Sequence, residues 1–201
     1  MFGAYRADAM SMVRRVVLVK HAVPVLEPDI PAREWRLGEE GENQARALAR
    51  RLEPFMPVGL VTSSEPKAVR TAEIVAAALG ISLRIIDELE EFDRPALPIV
   101  SRADHERLNA QIFADLSHVV LGSESGAGAR GRFQSAVTRA IETADRETLV
   151  IISHGTVISL LVAAHNDDVD AFEFWKGLEC GEFVVLEMPG FLKVRSLTLE
   201  G

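Results

Sequence analysis

The sequence predicts an α/β fold, a three-layer α/β/α sandwich with a mainly parallel central sheet. Two aliphatic runs, residues 16–19 and 149–152, are typical of strands that are buried on both faces. Shorter apolar runs and helical stripes alternate along the chain between them. Because strands joined through helices usually pair in parallel, this alternation favours one sheet with helices on both sides.

The first half of the chain is predicted to contain a proline-rich loop and two helices. Residues 22–36 hold three prolines and follow the first strand as a loop. From Glu39, apolar residues recur at helical spacing among charged ones, which predicts a helix that packs against the sheet. Residues 58–62 predict a strand, and the next helix follows it with a hydroxyl residue as its cap and Gly80 at its end.

The second half of the chain continues the same alternation. Four glycines between residues 122 and 131 are expected to break the helical pattern. The predicted elements are a strand at 82–86, an acidic loop at 87–94, helices at 102–116 and 133–144, the strand at 149–152, a helix at 156–164, and a hairpin of 183–187 with 192–197.

Composition narrows the domain count and the possible partners. We expect one domain over residues 1–201, in which residues 1–12 form a leader that is a candidate for disorder. A net charge of −8 without a basic cluster argues against nucleic acid and anionic membranes. No run resembles a signal peptide or a bilayer span, and Cys180 is the only cysteine, so we expect a cytoplasmic protein.

The predicted topology brings distant polar residues to one edge of the sheet. The carboxyl ends of parallel strands share an edge, and ligands usually bind there. That edge collects His21, the turn at 63–67, the loop at 88–94 and His154. Each histidine follows directly on a predicted buried strand.

The chemistry of this edge favours an anion. Lys20, Lys67 and the two histidines lie near two predicted helix starts, at 64–66 and at Gly155, and helix starts bind phosphate or carboxylate. A phosphoryl group is therefore the expected ligand. The lysines would repel a cation and neither histidine has the spacing of a zinc motif, so we expect no metal and no cofactor.

Three segments together resemble the histidine phosphatase superfamily, which is also called phosphoglycerate mutase-like. They are Leu18-Val19-Lys20-His21-Ala22, the run from Ser63 to Glu73, and Ser153-His154-Gly155-Thr156-Val157. Their order and separation fit that family over most of the chain. The resemblance is to its small phosphatase branch and implies a phosphoglycerate mutase-like fold.

The resemblance implies a role for each residue of the edge. His21 takes the position of the phosphoryl-accepting nucleophile and His154 that of the second histidine. Glu91 is the best match for the proton donor, with Glu88 and Glu90 as alternatives. The phosphate-binding positions are Lys20, Lys67 and Gly155. The two lysines stand where the family usually carries arginines, so they keep the charge and lose the bidentate geometry.

The function that this resemblance implies is a metal-independent phosphatase that acts on a small phosphomonoester through a phosphohistidine on His21. A neutral imidazole is required, and cationic neighbours lower the pKa of such a ring. One alternative is a phosphate-binding or regulatory protein of the same fold with little turnover. A second is a phosphomutase. The loops at 22–36 and 92–100 would shape the substrate site.

Overall fold

One mixed sheet forms the centre of the protein. The computed structural model describes residues 13–55, 57, 59–93, 102–120, 122–144 and 147–194. The strands in these ranges are β1 (Arg15–Lys20), β2 (Gly59–Thr62), β3 (Ser82–Ile85), β4 (Thr148–Ser153), β5 (Phe183–Glu187) and β6 (Leu192–Lys193). Their order across the sheet is β3-β2-β4-β1-β5-β6. The predicted leader at 1–12 lies outside the described residues.

The pairing of the strands confirms the mainly parallel sheet. β1 pairs in parallel with β4, and β2 pairs in parallel with both β3 and β4. β5 lies antiparallel to β1 and continues into the short β6. The carboxyl ends of the first four strands therefore share one edge, as the sequence predicts.

Helices cover both faces of the sheet and complete the three layers. They are α1 (Glu39–Leu52), α2 (Pro66–Leu79), α3 (Arg102–Ala114), α4 (Gly126–Glu142), α5 (Gly155–Ala164) and α6 (Ala171–Gly177). Short 3-10 helices occupy Ala32–Glu34 and Glu53–Phe55. None of the helices in the described ranges is both long and apolar enough to cross a bilayer.

The alternation of side chains along β1 separates the core into two layers. Val16 and Leu18 pack with the apolar faces of α4 and α5, whereas Val17 and Val19 pack with those of α1 and α2. All four side chains are fully buried. Because successive strand residues point to opposite faces, a run without polar residues is required wherever both faces are covered.

Several predicted boundaries differ from the structure. The residue that caps α2 is Glu65, which makes no side-chain capping bond, so the predicted hydroxyl cap is wrong. The helix predicted at 133–144 already begins at Gly126, because Ser125 caps it by accepting a hydrogen bond from the Gly128 N–H. α6 is not predicted at all, because its seven residues are too few to show a periodic pattern.

Two helical glycines give a matched test of this packing. A Cβ atom at Gly41 in α1 would collide with the carbonyl oxygen of Val23, whereas a Cβ at Gly131 in α4 would meet nothing within 4 Å. We expect Gly131→Ala to raise the free energy of unfolding by about 0.5–1 kcal/mol, since alanine favours a helix. Gly41→Ala should lower it by about 1–3 kcal/mol. Urea denaturation measures both, and equal effects would contradict the described packing.

Candidate active site

The pairing of β1 with β4 places two histidines side by side. Lys20 is the register partner of Ser153, so His21 and His154 follow at the same level on the carboxyl edge of the sheet. Their ring centroids are 5.1 Å apart and the rings meet at 61°. Both side chains are buried. The sequence-predicted pair is therefore brought together in one site.

Hydrogen bonding and burial fix the form of the His21 ring. Its Nδ1 lies 2.8 Å from the carbonyl oxygen of Ala22, which can only accept a hydrogen bond, so Nδ1 carries the proton and Nε2 keeps its lone pair. Burial holds the pKa of His21 well below its ordinary value of 6.5, and the charges of His154, Lys67 and Lys20 lower it further. A neutral imidazole with a free Nε2 lone pair is a nucleophile.

Backbone contacts hold the His21 segment against the neighbouring elements. The His21 N–H donates to the carbonyl oxygen of Ser153 at 3.0 Å. The Ala22 N–H donates to Thr71 Oγ1 at 3.0 Å, and that hydroxyl donates to the carbonyl oxygen of Lys67 at 2.7 Å. Thr71 is fully buried in α2. The His21 segment is thus fixed relative to the helix that carries Lys67.

His154 contacts the turn before α2. Its Nε2 lies 2.9 Å from Ser63 Oγ and 3.5 Å from Glu65 Oε1. The Ser63 hydroxyl also accepts a hydrogen bond from the Glu65 N–H at 3.2 Å. These contacts orient the second imidazole from the side opposite to β1.

Both predicted lysines lie at the site, and each contacts a carbonyl oxygen. Lys20 Nζ donates to Leu178 O at 2.7 Å and would lie 3.4 Å from a Cβ atom added to Gly155. Lys67 Nζ donates to Ala32 O at 2.7 Å and forms an ion pair with Glu65. The two cations therefore reach the site from the end of β1 and from the first turn of α2, and each is bound to a backbone carbonyl.

Glu91 occupies part of the helix start that the sequence assigns to phosphate. Its Oε2 accepts from the Thr156 N–H at 3.1 Å, and its Oε1 accepts from the Val157 N–H at 3.3 Å and the Phe92 N–H at 2.9 Å. The positive end of α5 thus already binds a carboxylate. The N–H groups of Thr156 and Val157 are thus bonded to Glu91.

Arg132 positions the acidic loop that carries Glu91. Its guanidinium donates to the carbonyl oxygens of Glu88 and Glu90, both at 3.0 Å, and to that of Glu91 at 3.2 Å. It also pairs with Glu124 at 2.7 Å. One side chain of α4 therefore holds three carbonyl groups of the loop backbone.

The three candidate proton donors lie in different surroundings. The exposed Glu88 carboxylate forms an ion pair with Arg139 of α4. Glu90 accepts a hydrogen bond from Ser64 Oγ at 2.6 Å. Glu91 is the member of the three whose carboxylate lies at the start of α5, next to His154.

Glu65 and Arg132 belong to the site, and the sequence pattern does not reveal them. The sequence places Glu65 in the first turn of α2, where carboxylates are common for reasons unrelated to a ligand. Its burial, with 6% of the residue exposed, is visible only in the structure. Arg132 is one of several charged residues on α4, and no spacing distinguishes it from the others.

The chain matches a family model over most of its length. The model describes the histidine phosphatase superfamily (branch 1) and matches residues 17–188. The chain belongs to the histidine phosphatase superfamily. A curated relative of this chain is "Probable phosphoglycerate mutase GpmB" of Erwinia tasmaniensis, which is 25% identical over 135 residues. That match covers 63% of this chain and 61% of the relative.

Solved structures share the fold of this histidine phosphatase superfamily member. Bacillus stearothermophilus YhfR aligns with a TM-score of 0.71 at 21% identity, covering 92% of this chain and 96% of that one. A mycobacterial glucosyl-3-phosphoglycerate phosphatase in complex with VO3 aligns at 0.68 and 22% identity, with 87% and 93% covered. Alpha-ribazole phosphatase of Shigella flexneri aligns at 0.68 and 20% identity, with 90% and 94% covered. These likenesses confirm the phosphoglycerate mutase-like fold.

The lowered pKa of His21 predicts how stability depends on pH. Between pH 6.5 and the folded pKa, the unfolded chain binds a proton at this position that the folded protein does not bind. The free energy of unfolding should therefore fall as the pH falls below about 6.5, with a slope that approaches about 1.4 kcal/mol per pH unit from this residue. Urea denaturation at pH 7.5, 6.5 and 5.5 measures the slope. The free energy of unfolding of His21→Gln should change less steeply with pH by that amount. An identical slope in both proteins would contradict the lowered pKa of His21.

Proposed function

We propose that this protein is a metal-independent phosphatase that hydrolyses a small phosphomonoester through a phosphohistidine on His21. The observation that carries the proposal is the neutral His21 ring, with Nδ1 bound to Ala22 O, facing His154 at a centroid distance of 5.1 Å. A nucleophile of this form needs no metal-bound water to begin the reaction.

In the first step, His21 Nε2 attacks phosphorus and the bond from phosphorus to the ester oxygen breaks. Glu91, in its protonated form, gives its proton to the leaving oxygen, which departs as an alcohol. Negative charge spreads over the three equatorial oxygens in the transition state. Lys20, Lys67, His154 and the Gly155 N–H would stabilise that charge from fixed positions.

In the second step, water attacks the phosphohistidine. The Glu91 carboxylate accepts a proton from the water as the bond from phosphorus to Nε2 breaks, so Glu91 regains the proton that it gave to the alcohol. Inorganic phosphate leaves, and His21 returns to its neutral form. Protons and phosphoryl groups therefore balance over one cycle without a cofactor.

Two alternatives to a phosphatase, a phosphomutase and a phosphate-binding protein, predict different experimental results. The similarity to a protein named as a phosphoglycerate mutase favours a phosphomutase as the second candidate. Analysis of the products of a phosphoglycerate would detect transfer between two hydroxyl groups of one substrate. A phosphate-binding protein with little turnover is favoured by the carbonyl contacts of Lys20 and Lys67, and it would bind phosphate without forming a phosphohistidine.

Covalent labelling is the direct test of the proposed function. Incubation with p-nitrophenyl phosphate, followed by acid-free quenching and intact mass measurement, should show one added phosphoryl group that is acid-labile and base-stable. His21→Ala should abolish the label and reduce p-nitrophenol release to background. His165→Ala, at the end of α5 opposite to Gly155, is the matched control and should keep both. Labelling that persists in His21→Ala would contradict the proposal.

The role of Glu91 can be separated from general binding by varying the leaving group. Glu91→Gln should lower kcat for an alkyl phosphate by about 10²–10⁴, because an alkoxide needs a proton when it leaves. The same variant should keep most of its labelling rate with p-nitrophenyl phosphate, since nitrophenolate leaves without one. Glu88→Gln, which loses only the ion pair to Arg139, is the comparison. An equal loss with both substrates would exclude Glu91 as the proton donor.

A further inference from the structure

A buried carboxylate lies inside the phosphate site and is not used by the proposed reaction. The side chains of Glu65 and Lys67 are each 6% exposed, and the two form an ion pair. The other carboxylate oxygen of Glu65 accepts a hydrogen bond from the Glu91 N–H at 2.8 Å and lies 3.5 Å from His154 Nε2. Glu65 therefore contacts the lysine, the acidic loop and the second histidine at once.

The position of Glu65 creates a conflict with the expected ligand. Lys67 lies close enough to His21 for its charge to lower the pKa of that ring. A phosphoryl group attacked by His21 would therefore also lie near the Lys67 ammonium. That ammonium is bound in this structure by the Glu65 carboxylate and by Ala32 O. The ligand and Glu65 are two anions that compete for one cation.

We propose that Glu65 is a positioning residue that binds Lys67 and weakens the binding of phosphate dianions by competing for it. The inference rests on the proposed function in one respect, that the site takes a phosphoryl group. Its consequence is that this site releases inorganic phosphate more readily than the same site would without the carboxylate. A carboxylate that only supported the fold would have the opposite effect, since its loss would disorder Lys67 and weaken binding.

Charged groups from several elements surround Glu65. Lys67 faces it from α2, His154 from the start of α5, and Glu91 from the acidic loop. Lys20 and His21 lie across the site at the end of β1. Because all of these groups remain in a Glu65 variant, the difference in anion affinity between wild type and that variant isolates the effect of Glu65.

Sulfate binding tests the inference without requiring turnover, because sulfate remains a dianion between pH 5.5 and 8. Isothermal titration calorimetry at constant ionic strength would compare wild type with Glu65→Gln. The variant should bind sulfate about ten- to a hundredfold more tightly at pH 8. Glu73→Gln, which removes an equal charge from the exposed face of α2, should bind like wild type.

Each outcome decides a different question. Equal or weaker sulfate binding by Glu65→Gln overturns the inference and leaves the proposed function standing. No sulfate binding by wild type or variant overturns the inference together with the proposed phosphate site. Tighter binding in a protein that forms no phosphohistidine supports the inference and contradicts the proposed function.

A second variant and a crystal structure make the test independent of Glu65→Gln. Glu65→Leu removes the same charge with a side chain of similar size, and it should also tighten sulfate binding if the glutamine variant does not fold. A crystal structure of wild-type protein with sulfate should show Lys67 Nζ in contact with the anion and separated from the Glu65 carboxylate. An intact ion pair between Lys67 and Glu65 beside a bound sulfate would overturn the inference.

Discussion

The parallel pairing of β1 with β4 is the constraint on which the site depends. Two histidines that are far apart in the sequence meet because Lys20 and Ser153 are register partners and each histidine is the next residue. Side chains alternate between faces along a strand, so a slip of one residue would turn the buried aliphatic residues of β1 toward the wrong layer. Val17 and Leu18, which belong to different core layers, oppose such a slip. The hydrophobic core therefore fixes the relative position of the catalytic candidates, although it contacts no substrate.

The site contains side chains of both charges. Lys20 and Lys67 bring two cations to an acidic chain, and Glu65 and Glu91 bring two buried or half-buried carboxylates to the same place. The Lys67 ammonium contacts the Glu65 carboxylate and Ala32 O, so a ligand that reached Lys67 would share one cation with Glu65. Lys67 and the carboxylate at position 65 are thus two parts of one electrostatic arrangement.

The sequence predicts those parts of the protein that depend on local pattern. β1, β4 and the helix that begins at Glu39 are predictable because buried strands and amphipathic helices have a characteristic period, and His21 and His154 follow directly on the two strands. The start of α4 is not predictable in this way, because the four glycines near it are typical of a loop. A Cβ at Gly126 would lie 2.8 Å from Leu116 Cδ2, so this glycine lets the start of α4 pack closely against Leu116. Glu65 escapes prediction for a different reason, since two of its three partners, Glu91 and His154, come from segments that are distant in the sequence.

The acidic loop shows why the proton donor is harder to assign from sequence than the histidines. Its backbone is held by Arg132 and by Ser153, whose hydroxyl donates to Leu89 O at 2.7 Å, and Glu88 adopts a left-handed conformation with φ of 73°. These tertiary contacts, and no local periodicity, decide which of three neighbouring glutamates reaches α5. The Glu91 N–H in turn binds Glu65, which binds Lys67. Glu91, Glu65 and Lys67 are therefore linked by direct contacts, and under the proposed roles a displacement of the loop would alter proton transfer and phosphate affinity together.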